Sequence, residues 1–388
     1  VTMAETESRP EAPEAPPVTP AKSSRLLSLD ALRGFDMFWI MGADSLGGAL
    51  ATMASGPVTR TVADQLEHVP WEGFHFEDLI FPLFVFIAGV SLVFSLGKII
   101  PRYGKDAAFA RLMKRTLLLY LLGIFYYGGF STSFDRIRLL GVLQRIALCY
   151  GVTGSLFIFF RLRTLLGIAV AILLGYWALL ALMPVPGHGA ASFLEGKNFV
   201  NWFDSRFLPL RKWDGDHDPE GILSTIPAIV SCLLGVFAGK FLANPKQTPA
   251  QKTRGLVIAG AVLVVVGFGW GHFFPIIKKL WTSTFVLVAG GFSSLLLGAF
   301  YWIVDVKGWR RWCEPFVWVG LNPIAIYLAS ELVDFGQLAS RLAGGNVQAL
   351  LDQTFTKGFG ALVQSLLALL FAFALARFLN QRKVYLRL

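Results

Sequence analysis

Apolar runs close to the roughly 20 residues that a helix needs to cross a bilayer recur along this chain from residue 32 to residue 379. Backbone in hydrocarbon must satisfy its own hydrogen bonds, so runs of this length can only be helices packed on one another. Ten are delimited: 32–51, 79–96, 112–129, 139–160, 165–183, 222–242, 256–274, 284–304, 316–333 and 359–379. The expected fold is therefore an all-α polytopic membrane protein of about ten transmembrane helices. Only 15% of residues are charged and 55% are apolar, against roughly 25% charged in an ordinary soluble domain, which argues against a soluble enzyme.

An even number of spans puts both termini on one face. If that face is cytoplasmic, its loops hold 23 lysines and arginines against 11 on the other, with Arg145 left inside a span. Cytoplasmic loops accumulate such residues, so both termini are expected inside. This bias accounts for the net charge of +10 without a basic face for nucleic acid, and no nucleic-acid partner is expected.

Residues 1–24 carry Pro10, Pro13, Pro16, Pro17 and Pro20 among acidic and small residues, too little apolar surface to fold, and read as a disordered cytoplasmic tail. Residues 25–388 then form a single membrane domain. The stretch 25–51 resembles a secretory signal in outline, but Asp30, Asp36 and Asp44 interrupt it and nine further spans follow, so a retained first helix is expected. The outer face receives the two longest connections, near 52–78 and 184–221, both rich in acids, aromatics and histidine. Function is sought there first.

Polar residues inside apolar spans are costly and need a partner or a task. Asp30 and Arg33 stand three apart on one face of the first helix, as an internal ion pair and positive-inside anchor or as part of a site. Asp44 lies fourteen residues beyond Asp30, about 21 Å along a helix and near its outer end. Beyond it, LEHVPWEGFHFEDLIF places His68 and His75 around Trp71. A histidine can serve as general base near neutral pH and Asp44 could orient it, although an interfacial loop with a tryptophan anchor accounts for the same residues.

In the fourth span, Arg145 follows Gln144 in GVLQRIALCY. A buried arginine seeks an anion, whether a phosphate, a carboxylate such as Asp36 or a helix carboxyl end. In the ninth, Asn322 precedes Pro323, which disfavours helical backbone at Asn322 and predicts a kinked helix, either lining a cavity or purely structural. The stretch WDGDHDPEGIL alternates Asp214, Asp216, Asp218 and Glu220 like the opening of a calcium loop. Pro219 stands where that loop needs glycine, and no acid stands at position twelve. Capping of the next helix or recognition of a cationic ligand are the alternatives. Cys149, Cys232 and Cys313 lack metal-ligand spacing, and no metal is expected. No Walker loop or dinucleotide fingerprint is present, so a phosphate-bearing cosubstrate would be held by arginines and helix ends.

RLLSLDALRGFDMFW, HVPWEGFHFEDLIFPLFVFIAG, GVLQRIALCY, DPEGILSTIPAIVSCLLGVFAGK and LWTSTFVLVAG with DVKGW and GLNPIAIYL together resemble the heparan-α-glucosaminide N-acetyltransferase family of polytopic membrane acetyltransferases and its bacterial relatives. The family's histidine three residues before a tryptophan falls on His68 and Trp71, which implies that His68 acts in acetyl transfer. The lysosomal member has asparagine where Asp44 stands here, implying a hydrogen-bonding role. The resemblance implies an inner-membrane enzyme that takes acetyl from cytoplasmic acetyl-CoA, its cosubstrate, to the amine of a glucosamine-type sugar outside. His68 would be general base or acetyl carrier, assisted by Asp44. Arg33, Arg145 and Asn322 are the candidates for the cofactor, and Trp71, Asp218 and Glu220 for the acceptor. Expected partners are membrane lipids and an amino-sugar or glycan acceptor, with a second copy of the chain as a candidate. A secondary transporter of amino sugars is the rival from another class, since it too needs intramembrane charges and a proline-broken helix. A noncatalytic scaffold is the third reading.

Overall fold

The computed structural model describes residues 26–53, 56–129, 131 and 133–386; the tail expected over residues 1–24 lies outside them. Helices overlap every expected apolar run over most of its length, with residues 127–129, 139–141 and 272–274 beyond their ends. In chain order these are α1 (Leu27–Met53), α2 (Pro57–Gln65), α3 (Phe76–Tyr126), α4 (Val142–Phe159), α5 (Leu162–Leu182), α6 (Phe199–Phe207), α7 (Ile222–Ala243) and α8 (Pro249–Gly271). There follow α9 (Ser283–Phe300), continued by a π-helical stretch over Tyr301–Val306, then α10 (Glu314–Leu321), α11 (Pro323–Val333), α12 (Phe335–Ala343), α13 (Asn346–Thr354) and α14 (Phe359–Gln381).

Among the described residues, seven helices are long and apolar enough to cross a membrane, and α10 with α11 make an eighth if that pair is one span. Local chemistry explains where the expected runs differ from these helices. The 51-residue α3 holds two of the ten runs and breaks at Gly104, whose φ of 83° suits glycine and few other residues. The first helix falls outside the apolar class because Asp30, Arg33, Asp36 and Asp44 lower its hydropathy. Between α10 and α11 the axis bends by 75°, and Asn322, at φ −134° and ψ 45°, leaves the helical region that the following proline disfavours.

Hydrophobicity does not drive helices together in lipid, so close backbone approach has to. Small residues supply it at two crossings. A Cβ on Gly34 of α1 would lie 1.7 Å from the Phe316 carbonyl oxygen of α10, and one on Gly320 would lie 1.8 Å from that of Asp30. A Cβ on Gly89 of α3 or Gly235 of α7 would meet the carbonyl oxygen of Cys232 or Phe86 at 1.9 Å. The core formed around these crossings contains the fully buried Leu83, Phe86, Val90, Leu233 and Val236.

Gly235→Val therefore has to push α3 and α7 apart, which costs on the order of 1–3 kcal/mol or more. The unfolding midpoint of the purified protein in detergent should fall clearly. Gly48→Ala, where an added Cβ meets nothing within 4 Å, should leave it unchanged. Equal midpoints for the two variants would contradict this packing.

Candidate active site

Three segments outside the long helices knit together over one end of the bundle: residues 66–75 before α3, 184–221 around α6, and 272–282 between α8 and α9. The Gly73 amide donates to the Ile276 carbonyl at 2.9 Å, and Trp71 Nε1 donates to the Phe193 carbonyl at 2.8 Å. Lys279 joins Glu195 at 2.6 Å and Asp214 at 3.0 Å. With one partner in each segment, these bonds make the cap a single unit.

His68 stands under this cap, its side chain half exposed. Its Nδ1 lies 3.1 Å from Oδ1 of Asp78, while Oδ2 of Asp78 accepts the amides of Val69 at 3.3 Å and His75 at 3.0 Å. Asp78 occupies the first turn of α3, where the helix amides favour a carboxylate. The Lys278 ammonium completes the group, 3.0 Å from Nδ1 and 3.3 Å from Nε2 of His68 and 3.3 Å from Asp78. Asp44 and Glu77 each bring a carboxylate oxygen within 4.8 Å of a His68 ring nitrogen and of one another. Such a trio could accept a cation, and Lys278 already supplies positive charge beside it. Burial pulls the Lys278 amine down from its ordinary range, and Asp78 and Glu77 oppose that shift.

Three cavities follow one another through the bundle. At the end of α1 where the chain enters, a cavity of about 410 Å³ is lined by Arg33, Ser91, Arg115, Tyr150 and Tyr385. The next, about 230 Å³, is lined by Met37, Asp44, His68, Glu77 and Lys278. Phe84, Leu143, Ile146, Pro323 and Ile324 line both, so an apolar neck separates them. The third, about 380 Å³ and under the cap, is lined by Trp71, Tyr127, Trp213, Lys279 and Trp281. His68, Val142, Glu220 and Lys278 line the second and the third together.

The wall of the outer cavity is held by Arg138. Its Nε and Nη2 donate to Asp218 at 2.9 and 2.7 Å, and Nη2 also reaches Glu220 at 2.6 Å. The guanidinium carbon lies 4.6 Å from the Tyr127 ring centroid and 4.9 Å from that of Trp213. Burial works against the charge, but the bonds to Asp218 and the charges of Glu220 and Asp218 push the Arg138 guanidinium above its ordinary range. Burial also pushes Glu220 up, against the pull of Arg145 and Arg138. Asp204 accepts the Ile222 amide at 3.0 Å, and burial raises its carboxyl to about 6.

The structure thus brings His68, Asp44, Trp71 and Glu220 to adjoining cavities. Asp218 is 1% exposed and spends its oxygens on Arg138 and on the amides of Trp213 and Glu220. Arg33 faces the innermost cavity and donates to Ser91 at 2.7 Å and to the Gly320 carbonyl at 3.1 Å. Arg145 lines none of the three cavities. It lies buried beneath the cap, bonded to the Pro219 carbonyl and the Ser224 hydroxyl and 4.8 Å from the Trp281 ring. Asn322 clasps the end of the chain, donating to the Val384 carbonyl at 2.8 Å and accepting the Leu386 amide at 3.0 Å. It acts on the innermost cavity through Tyr385 and Leu386, which line it.

Sequence reasoning did not single out Asp78, Lys278, Arg138 or Arg115. Asp78 had a local signal, an acid in the first turn of a helix just after His75. The other three read as ordinary loop or flanking cations, and only folding shows which carboxylate or cavity each meets. Arg115 fits a phosphate-bearing cosubstrate in the innermost cavity. It lies over the Tyr150 ring at 5.0 Å, and its buried Nε has no hydrogen-bond partner among the described residues.

A family model described as heparan-alpha-glucosaminide N-acetyltransferase, catalytic, matches residues 25–269. The chain is similar to heparan-alpha-glucosaminide N-acetyltransferase of Mus musculus, 31% identical over 327 aligned positions, with 69% of this chain and 49% of that protein covered. It is also similar to the Homo sapiens protein of the same name, 29% identical over 369 aligned positions, with 80% of this chain and 53% of that one covered. The chain spans about half the length of the curated relatives it matches.

Removing Arg138 would strand two carboxylates in the wall of the outer cavity, a change that costs about 3–5 kcal/mol when an ion pair is buried. Arg138→Ala should lower the unfolding midpoint much more than Arg138→Lys. The deficit of the alanine variant should shrink as pH falls, because an unpaired buried carboxyl holds its proton to higher pH and stability tied to that proton is present at low pH and lost as pH rises. A deficit that is independent of pH would contradict this role.

Proposed function

The chain belongs to the heparan-α-glucosaminide N-acetyltransferase family, and from that premise we propose that it is a transmembrane acetyltransferase with an amino sugar as acceptor. The acetyl donor is acetyl-CoA, presented to the face that carries the chain termini and most of the loop cations. The acceptor is a glucosamine-type amine presented under the cap. The face with the termini is cytoplasmic, and the membrane is the bacterial inner membrane.

The observation that carries this reading is the series of three cavities with His68 where the last two meet. A CoA headgroup bears several negative charges that cannot enter hydrocarbon unpaired. Arg33 and Arg115 receive its phosphates in the innermost cavity, and Tyr150 stands beside them. The neck of Phe84, Leu143 and Ile146 is apolar and suits the slender thioester arm. Under the cap, Trp71, Trp213 and Trp281 give the flat apolar walls that sugar rings pack against, and Glu220 faces an incoming ammonium.

Acyl transfer needs an unprotonated amine. Asp78 engages Nδ1 of His68 and fixes the ring, and Nε2 takes the amine proton as nitrogen bonds to the acetyl carbon and the carbon–sulfur bond breaks. That proton leaves with the CoA thiol. Asp44 brings its carboxylate within 4.8 Å of His68 and Glu77 in the same polar group. A transporter would move the sugar itself, yet the neck between the first two cavities is lined by bulky apolar side chains and offers a hydrated sugar no polar partners.

His68→Ala should insert, fold and retain acetyl-CoA while losing about 10² to 10⁴ in turnover. His75, whose Nδ1 faces the Glu67 carbonyl at 2.9 Å and which lines none of the three cavities, should tolerate alanine with a much smaller loss. Steady-state assay of both purified variants with acetyl-CoA and glucosamine decides the matter. Near-normal turnover in His68→Ala removes the histidine from the chemistry.

A further inference from the structure

Among the residues lining the two cavities that meet at His68, Lys278 alone is a lysine or arginine lining both. It lies beyond residues 25–269, the part of the chain that the catalytic family model matches. Its position is built. Residues 276–278 are tied to the first outer segment by the Gly73–Ile276 hydrogen bond and the Glu72–Ile277 bridge. They are tied to the start of α9 by Thr282 Oγ1, which accepts the Ile277 amide at 3.1 Å. Trp281, with φ of 52°, is held in that turn by the Thr282 amide donating to the Ile277 carbonyl at 3.2 Å and by its own Nε1 donating to Ser231 at 3.1 Å. Backbone so constrained, with a bulky residue in the left-handed region, is characteristic of sites where a side chain must be aimed.

A surface lysine needs none of this. The Lys278 side chain is 22% exposed, and the charges around it come from every side: Asp78 and Glu77 from α3, Asp44 from α1, Glu220 from the segment before α7. Asp78 is shared with His68, so one carboxylate sets the distance between the ammonium and the imidazole. Nζ lies 3.3 Å from Nε2 of His68. A base within about 3 Å of the amine nitrogen, and an amine within about 3–3.5 Å of the carbon it attacks, place the carbonyl oxygen of the acetyl group within reach of an ammonium so close to that base.

We propose that Lys278 is a catalytic residue of the acetyl transfer, its ammonium receiving the negative charge that develops on the acetyl carbonyl oxygen. This rests on the acetyltransferase reading above. When the amine nitrogen bonds to the acetyl carbon, the electron pair of the C=O moves onto oxygen, next to Lys278. It returns as the carbon–sulfur bond breaks, and Lys278 keeps its proton throughout. Asp78 positions both partners, orienting His68 and holding Lys278 beside it.

The test uses the full chain in proteoliposomes with acetyl-CoA and glucosamine. Lys278→Met should lose about 10² to 10³ in kcat, as removal of one oxyanion donor does, with the KM for acetyl-CoA within about threefold of the parent value. Lys278→Cys should be as poor, and aminoethylation of that cysteine, which rebuilds an ammonium on the folded protein, should recover at least about tenfold. Infrared difference spectra with carbonyl-labelled acetyl-CoA should show the thioester band at lower wavenumber on the parent and on the aminoethylated protein, and near its solution position on Lys278→Met. Turnover of Lys278→Met within about threefold of the parent, or the same carbonyl band on both, overturns the proposal. Failure of the parent itself to acetylate glucosamine would strike the acceptor reading instead, and the infrared band would still decide whether Lys278 meets the carbonyl.

Discussion

Within a bilayer no water is available to complete the bonding of a polar group, so each charge carried by a membrane helix must end on a partner or on the wall of a cavity. The polar groups around His68 follow that constraint, whereas Asp36 of α1 is fully buried with no hydrogen-bond partner on either carboxylate oxygen among the described residues. Arg33 ends on Ser91 and the Gly320 carbonyl, Arg138 on Asp218 and Glu220, and Asp78 on His68, Lys278 and two amides. The bonds of Arg33 and Arg138 and the Asp78–Lys278 pair join segments far apart in sequence, while those of Asp78 to His68, Val69 and His75 are local, and Arg33, Arg138, His68 and Lys278 all line cavities. The polar groups that the fold has to satisfy are the groups that a site can use.

Seen along α1, the consequence is a division of labour between its two ends. Arg33 sits at one cavity and Asp44 at the next, eleven residues on, which is about 16 Å along a helix. Between them the bend at Asn322 admits Pro323 and Ile324 to the wall of both cavities. Close glycine crossings at Gly34 and Gly320 hold α10 against α1 there. A polar pocket, an apolar neck and an aromatic pocket in series suit the proposed transfer of a small acyl group between two aqueous faces, since a charged donor and a hydrated acceptor would then never share one compartment.

Much of this was legible in the sequence. Apolar runs of bilayer length located the helices, because backbone hydrogen bonding leaves membrane segments no alternative. The Asn322–Pro323 pair announced the break in the ninth run, and His68, Asp44, Trp71 and Glu220 stood out as polar or aromatic groups near helix ends. What remained hidden depends on which segments meet. Arg145 reads from sequence as a buried cation seeking a phosphate, a carboxylate or a helix carboxyl end, and in the fold it lies beneath the cap on Pro219, Ser224 and Trp281. Asp218 reads as a ligand group and is enclosed by Arg138. Lys278, in a loop 210 residues from His68, carries no periodicity or motif that would link the two. Local rules report helix ends and turns; they do not report which loops share a cap.

In the proposed reaction donor and acceptor are used from opposite faces, and this sidedness can be measured. Proteoliposomes with a single orientation of the protein should consume acetyl-CoA only from the face where Arg33 and Arg115 line their cavity, and N-acetylglucosamine should accumulate only on the face where His68 opens beneath the cap. Consumption of acetyl-CoA from the His68 face, or passage of unmodified glucosamine at a rate indifferent to acetyl-CoA, would contradict the account.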